Sequence, residues 1–333
     1  MKKGIAVAGN MLVDTIYQID NYPQMGELAT IYNGITKATG GAVCNVAVDL
    51  AKLDAELPLT TLGVIGNDLN GKFIEQSLSE YKNIDLTQIA HEGTTSFTEV
   101  MCENVSKQRT FFHFRGANTS FSEKHIDLNK LNVDIFHIGY ILLLDELDKY
   151  DNEYGTKMAR LLASLQSRGI KTSADVVSDS FDRFKAIVPN SLKHLDYFII
   201  NETEAERTTG ITLRNGNGII NENLNSALLA INDMGVSEWI VIHAPELGCG
   251  MDCTTGEIIK IDSLKLPADY IKGTNGAGDA FCSGILYGAY KGMKLREAIE
   301  LGIGCAACSL AEPGATEGMK PYEEVIRMYQ NMR

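Results

Sequence analysis

No run of about 18 apolar residues occurs in this 333-residue sequence, so no segment reads as a membrane-spanning helix. Basic charge is scarce too: 30 Lys and Arg against 43 Asp and Glu leave a net charge of -13, which argues against a nucleic-acid or anionic-membrane surface. Any affinity for phosphate must then come from backbone and metal rather than from a basic patch. The six histidines are scattered without ligand spacing. The seven cysteines, an odd number, lie mostly in apolar segments, such as those of Cys44, Cys102 and Cys282, and read as buried thiols. Cys249-x3-Cys253 and Cys305-x2-Cys308 have metal-like spacing, but the second lies in an Ala- and Gly-rich run with no histidine nearby. No Gly-x-Gly-x-x-Gly follows the first strand-like segment, which weighs against a nicotinamide-dependent oxidoreductase. Repeats, low-complexity tracts and long linkers are also missing. Met1-Lys2-Lys3 runs directly into Ile5–Ala8, too short and too quickly polar for a signal peptide, so the expected location is the cytoplasm.

What is present is a soluble globular composition, 44% hydrophobic and 22% charged, in a chain long enough for one large or two ordinary domains. Gly4–Gly9 is a short continuous apolar run, as a buried parallel strand requires. Alternating segments at Thr15–Ile19 and Leu28–Thr36, and again at Ser96–Glu103 and Lys107–Arg115, have one wet face each. Paired together, they would form a small sheet able to act as a lid. Helical spacing follows Gly40-Gly41 at Ala42, Val46, Leu50 and Leu53. A strand at Leu59–Val64 and a helix at Leu69–Tyr81 come next. From Val133 strand and helix patterns alternate: strands at Asp134–Ile138, Ile170–Ala174, Tyr197–Ile200 and Trp239–Ile242, with helices at Tyr154–Arg168, Phe181–Ile187 and Asn225–Met234. The spacing predicts a loop over His243–Gly250, and two small-residue helices, Phe281–Tyr290 and Ala298–Ala311, close the body. The expected fold is α/β, one body over residues 1–333, with a lid inserted at about 15–36 and 94–116.

Gly273-Thr274-Asn275-Gly276-Ala277-Gly278-Asp279 reads as a glycine-lined turn opening a buried helix. The first N–H groups of a helix lack partners and carry the positive dipole end, so such a turn can cradle a phosphate. Asp279 beside a phosphate costs repulsion unless it takes a proton from a nucleophile or holds a cation; alternatively it is a first-turn carboxylate placed for the dipole. Asn10 and Asp14, just past the first strand, are placed to bind a hydroxylated ligand or to cap a turn. Asn201 and Glu204 open another helix, where oxygen ligands for Mg²⁺ and an acidic first turn look alike.

Taken in order, Gly40-Gly41-Ala42-Val43-Cys44-Asn45-Val46-Ala47, Asn201-x-x-Glu204 and Gly273–Asp279 resemble the three signatures of the PfkB family of carbohydrate kinases, the ribokinase-like group, over essentially the full length. The resemblance implies a ribokinase-like fold: a mostly parallel central sheet flanked by helices, with a small β-sheet lid. It implies ATP-dependent phosphorylation of the primary hydroxyl of a free sugar, ribose or fructose type. Asp279 would be the general base, and Gly276, Ala277 and Gly278 the anion hole. Asp14, Gly40, Gly41 and Asn45, together with Asn10, would bind the substrate. Asn201 and Glu204 would organise Mg²⁺, in part through water, and the ATP phosphates, with His243, Gly248, Thr274, Gly276 and Gly278 also at the nucleotide.

Gly273 stands where the family commonly has an Asp of a monovalent-cation site, so no such cation is assigned; Pro245 stands where Gly is common, so no adenine contact is assigned. Phosphosugar-using members tend to carry a basic residue in the first lid strand. Thr94-Thr95-Ser96-Phe97-Thr98 has none, which favours a neutral sugar or nucleoside, Arg109 and Arg115 being the cations still within reach. A nucleoside kinase is the alternative, and a catalytically silent ligand-binding protein on the same fold the alternative of another class. An exposed apolar face on the alternating segments would favour a homodimer through the lid.

Overall fold

The computed structural model describes residues 3–104, 108–178, 183–216, 218–267 and 269–333. The expected starts at Lys107 and Phe181 lie outside these. In chain order, β1 (Ile5–Gly9), β2 (Leu12–Ile19) and β3 (Ile31–Gly40) lead into α1 (Ala42–Leu53). Then come β4 (Leu59–Ile65), α2 (Leu69–Ser79), β5 (Ile84–His91), β6 (Ser96–Glu103), β7 (Arg109–Phe114) and β8 (Ile135–Ile141). A two-residue ladder, β9 (Tyr150–Asp151) with β10 (Gly155–Thr156), precedes α3 (Lys157–Gln166), β11 (Lys171–Val176), α4 (Phe184–Leu192), β12 (Tyr197–Asn201) and α5 (Glu202–Thr209). A second such ladder, β13 (Arg214–Asn215) with β14 (Gly218–Ile219), is followed by α6 (Asn221–Asp233), β15 (Trp239–Ala244), β16 (Leu247–Asp252) and β17 (Ile258–Asp262). The chain closes with α7 (Ala277–Lys291), α8 (Leu295–Leu310) and α9 (Tyr322–Met332).

Nine strands form the central sheet in the order β17-β16-β15-β12-β11-β8-β1-β4-β5. It is parallel from β5 to β15 and antiparallel where β16 and β17 are added. β1 lies inside the sheet between β8 and β4, and its alternation divides the core: Ile5 and Val7 face a cluster with α1, α7 and α8, while Ala6 and Ala8 face one with α3 to α6. Fully buried Phe136 and Phe198 belong to the second cluster; burying each contributes about 1.5–3 kcal/mol. Local chemistry sets the helix starts. Asp68 caps α2 by accepting from Gly71 N at 2.9 Å, and Thr156 caps α3 by accepting from Ala159 N at 3.1 Å.

The alternating segments do pair into one four-stranded sheet, β3-β2-β6-β7. Two antiparallel hairpins are joined through a parallel β2/β6 seam. Several elements differ from the sequence reading, the short β9/β10 and β13/β14 ladders among them. Residues 243–250 are the hairpin of β15 and β16, with Pro245 and Glu246 at its turn, because the apolar run continues through Leu247 and Cys249. β5 has no counterpart in the reading; it is an edge strand whose exposed positions carry Asp85, Thr87 and His91, which blur its pattern.

Candidate active site

The glycine turn does open a buried helix. Gly276 is the residue before α7, with φ 74° and ψ -1°, and the first helical bond runs from Ala280 N to Gly276 O at 2.8 Å. The N–H groups of the first turn precede that bond, so they have no carbonyl within the helix. A Cβ at Gly276 would lie 2.5 Å from Ala315 O, so the turn is packed against residues 312–316. Asp279 sits in this first turn, 8% exposed. Its Oδ2 accepts from Asn45 Nδ2 at 2.8 Å and its Oδ1 from Tyr140 OH at 2.6 Å. Burial pushes its carboxyl up from the usual range, and these two hydrogen bonds pull it back.

Gly40-Gly41 joins β3 to α1. A Cβ at Gly40 would lie 2.7 Å from Asp14 Oδ2, so glycine there makes room for that carboxylate. Gly41, at φ 85°, precedes α1, and a Cβ there would meet Asn10 O at 2.6 Å. The turn thereby brings Asn45 to Asp279. Asp14 lies on β2 opposite Thr98 of β6, which pairs in turn with His113 of β7. Burial pushes the Asp14 carboxyl up; Thr98 and the charge of Arg109 act the other way. Asn10 is 1% exposed; its Oδ1 accepts from Tyr140 N at 2.8 Å, and its Nδ2 has no partner among the described residues. Its place is thus beneath the site, holding β8.

A cavity of about 720 Å³ lies on the other side of the turn, within the range of small-molecule sites. Thr274, Ala277 and Gly278 line it, with Asn201 from β12 and His243 from β15. Apolar groups of Leu264, Ile303 and Leu310 complete it. His243 packs against Phe281, the rings tilted by 33° with centroids 4.9 Å apart, and burial holds its imidazole at about 4, hence neutral. Gly248 is not in this lining: it lies in β16, where a Cβ would meet Ile299 at 2.8 Å and Phe281 at 3.3 Å.

Asn201 and Glu204 form a reciprocal cap on α5. Asn201 Oδ1 accepts from Glu204 N and Glu204 Oε2 from Asn201 N, both at 2.9 Å. Ser178 donates to Glu204 Oε1 at 2.8 Å. Burial pushes Glu204 up to about 7, and Asp175 at the end of β11 is pushed well up by burial and then by the charge of Glu204. Glu204 is buried behind Asn201, which lines the cavity, with Asp175 nearby; such carboxyls suit Mg²⁺, which takes one or two protein carboxylates and completes its shell with waters and phosphate oxygens. Among the described residues no three His, Cys, Asp or Glu side chains gather as a metal cage. Tyr140 and Asp175 are site residues that sequence reasoning missed; each lies near the carboxyl end of a mostly buried strand, which was the available signal. Arg115 is paired with Asp145.

A family model described as pfkB family carbohydrate kinase matches residues 2–321. The chain belongs to that family. It is accordingly an ATP-dependent phosphotransferase with an alcohol group as acceptor. A ribokinase of Arabidopsis thaliana is 23% identical over 97% of this chain and 80% of its own length. The solved structure of Arabidopsis thaliana ribokinase complexed with ribose and ATP superposes with a TM-score of 0.80 at 19% identity, covering 99% of each chain. A nucleoside kinase of Methanocaldococcus jannaschii gives 0.75 at 19% identity, covering 99% of this carbohydrate kinase and 98% of that chain. At these identities the structures show a shared fold. Among the described residues no helix is long and apolar enough to cross a membrane.

Proposed function

We propose that this carbohydrate kinase transfers the γ-phosphoryl group of ATP to the primary hydroxyl of a free sugar of the ribose or fructose type. One observation carries the reading: the unpaired first-turn N–H groups of α7 separate a nucleotide-sized cavity from a buried carboxylate clamped at both oxygens. Asp279 takes the proton of the attacking hydroxyl, a contribution of about 10²–10⁴-fold. Gly276, Ala277 and Gly278 present backbone N–H groups to the charge on the transferring phosphoryl, where a preorganised donor is worth most. Asp14 and Asn45 orient the sugar. Thr274 and His243 border the nucleotide, and Glu204, with Asn201 through water, would hold Mg²⁺; when bound, the ion would neutralise phosphate charge.

The β3-β2-β6-β7 sheet acts in this reading as a lid that excludes water. A homodimer through it belongs to the same proposal: the strand registers put Ile35, Phe112 and Phe114, all more than two-fifths exposed, on the face opposite Asp14. Sedimentation of the wild type against a Phe112→Ser, Phe114→Ser double variant tests it, and unchanged mass would refute it. A nucleoside as acceptor is favoured by one feature: Phe111, 59% exposed, shares the Asp14 face and could stack a base. ATP consumption against ribose, fructose, adenosine and inosine decides between them. Turnover with a nucleoside and none with a free sugar would overturn the sugar reading.

A further inference from the structure

The carboxylate assigned as base has unusual company. On α1, one turn beyond Asn45, Asp49 is fully buried and neither of its oxygens has a hydrogen-bond partner among the described residues. Lys52, the nearest cation on that helix, spends its ammonium on Thr316 O at 2.8 Å, and Glu317 adds a further negative charge near Asp49. From β11 comes Asp175, with Glu204 of α5 behind it. On α7 itself Cys282 is buried beside Asp279, its thiol 3.9 Å from His137 Nε2 of β8, and burial holds that imidazole neutral at about 3. His243 of β15, also neutral, lies over Gly278. Among the described residues no cationic side chain is hydrogen-bonded to Asp279. A carboxylate so placed takes up a proton unless donors hold it ionised, and a protonated carboxyl cannot accept the proton of a hydroxyl.

Two donors reach its oxygens, from elements far apart in sequence. We infer that Tyr140 is a positioning residue for Asp279: with the Asn45 amide it clamps both carboxylate oxygens and keeps the base ionised, while Asn10 sets Tyr140 in place. The Tyr140 hydroxyl lies 2.6 Å from Oδ1 and the Asn45 amide 2.8 Å from Oδ2, so the carboxylate plane is fixed at both ends. Asn10 accepts from Tyr140 N at 2.8 Å and donates its own N–H to Gly139 O at 2.9 Å, which locks the end of β8 against β1. Burial, and then the charge of Asp279, pushes the Tyr140 phenol well up, so it remains a donor at neutral pH. Each carboxylate oxygen has a second lone pair, which leaves the substrate hydroxyl an acceptor despite the clamp.

The inference rests on Asp279 as the base, and its test reads the carboxyl itself. In protein labelled with ¹³Cγ-aspartate, Asp279→Asn assigns the resonance, and Tyr140→Phe removes only the hydroxyl. The Asp279 midpoint should rise by about one to two pH units in Tyr140→Phe, the equivalent of one charge-assisted hydrogen bond. Asn10→Ala, which frees Tyr140 without touching Asp279, should give a smaller rise, and serves alone if Tyr140→Phe does not fold. The acid limb of kcat/KM should move by the same amount as the midpoint. An unmoved midpoint in the folded variant overturns the clamp. If the wild type phosphorylates no acceptor, the kinase reading of the site falls, and the carboxyl titration still decides the clamp by itself.

Discussion

The two flanking glycines of the α7 turn should fail in different ways when each is replaced by alanine. At Gly276 the backbone has φ 74°, and a Cβ would sit 2.5 Å from Ala315 O and 2.7 Å from Ala315 Cα. Those are backbone atoms, which cannot swing aside as a side-chain tip would. The left-handed conformation costs an alanine about 1–2 kcal/mol, and overpacking adds about 1–3 kcal/mol. A total of about 2–5 kcal/mol, at an unfolding entropy typical for this length, lowers Tm by about 3–7 °C. At Gly278 the nearest atom to a new Cβ is His243 Cε1 at 3.4 Å, an ordinary contact. There the helix gains about 0.5–1 kcal/mol from losing a glycine, so Tm should hold or rise slightly. The methyl nevertheless enters the cavity lining where a phosphate must approach backbone, so nucleotide affinity and turnover should fall. Differential scanning calorimetry beside ATP binding separates the two effects. If Gly276→Ala melts with the wild type, or if both variants lose the same stability, the account of the turn is wrong.

Asp279→Asn should reduce kcat by about 10²–10⁴-fold while leaving ATP binding measurable by calorimetry; near-normal rates would remove it as the base. Asp14→Ala should raise KM for the acceptor by about 10–100-fold with kcat little changed, as for loss of one hydrogen bond to a charged group; an unchanged KM would take Asp14 out of the sugar site. Glu204 titrates at about 7 in the folded chain against 4.5 ordinarily, so the folded state holds a proton that the unfolded state has released. Stability in EDTA should therefore fall as pH rises from about 4.5 through about 7. Added Mg²⁺ and ADP should restore it above pH 7, and Glu204→Gln should flatten the EDTA curve. A wild-type curve already flat over that range would contradict the assignment.

The legible parts of the molecule were those fixed within a few residues. Gly276 to Asp279, Gly40-Gly41 and Asn201-x-x-Glu204 each specify a local backbone conformation or cap, and each appears in the structure where the sequence places it. The apolar runs of β1, β8 and β12 were equally plain, since buried parallel strands are apolar on both faces. Other elements were harder: edge strand β5 mixes polar and apolar positions, and β16, short and Gly-rich, follows β15 after only a two-residue turn at Pro245 and Glu246. Gly248, read as a nucleotide residue, faces Phe281 and Ile299 because pairing in β16 sets which way it points.

Sequence alone thus determined the α/β pattern, the glycine-lined helix start proposed to receive phosphate, and the acid proposed as base. Tertiary structure decided what surrounds that acid. Asn45 and Tyr140 lie 234 and 139 positions from Asp279, and only the order of strands in the sheet brings β8, α1 and α7 together. It also gave Asn10, read as a ligand-binding or turn-capping residue, a hydrogen bond to Tyr140 N and set Asp49 and Asp175 near the base. The physical reason is range: caps and turns are satisfied by neighbours along the chain, whereas the protonation state of a buried carboxyl depends on every charge and donor packed around it.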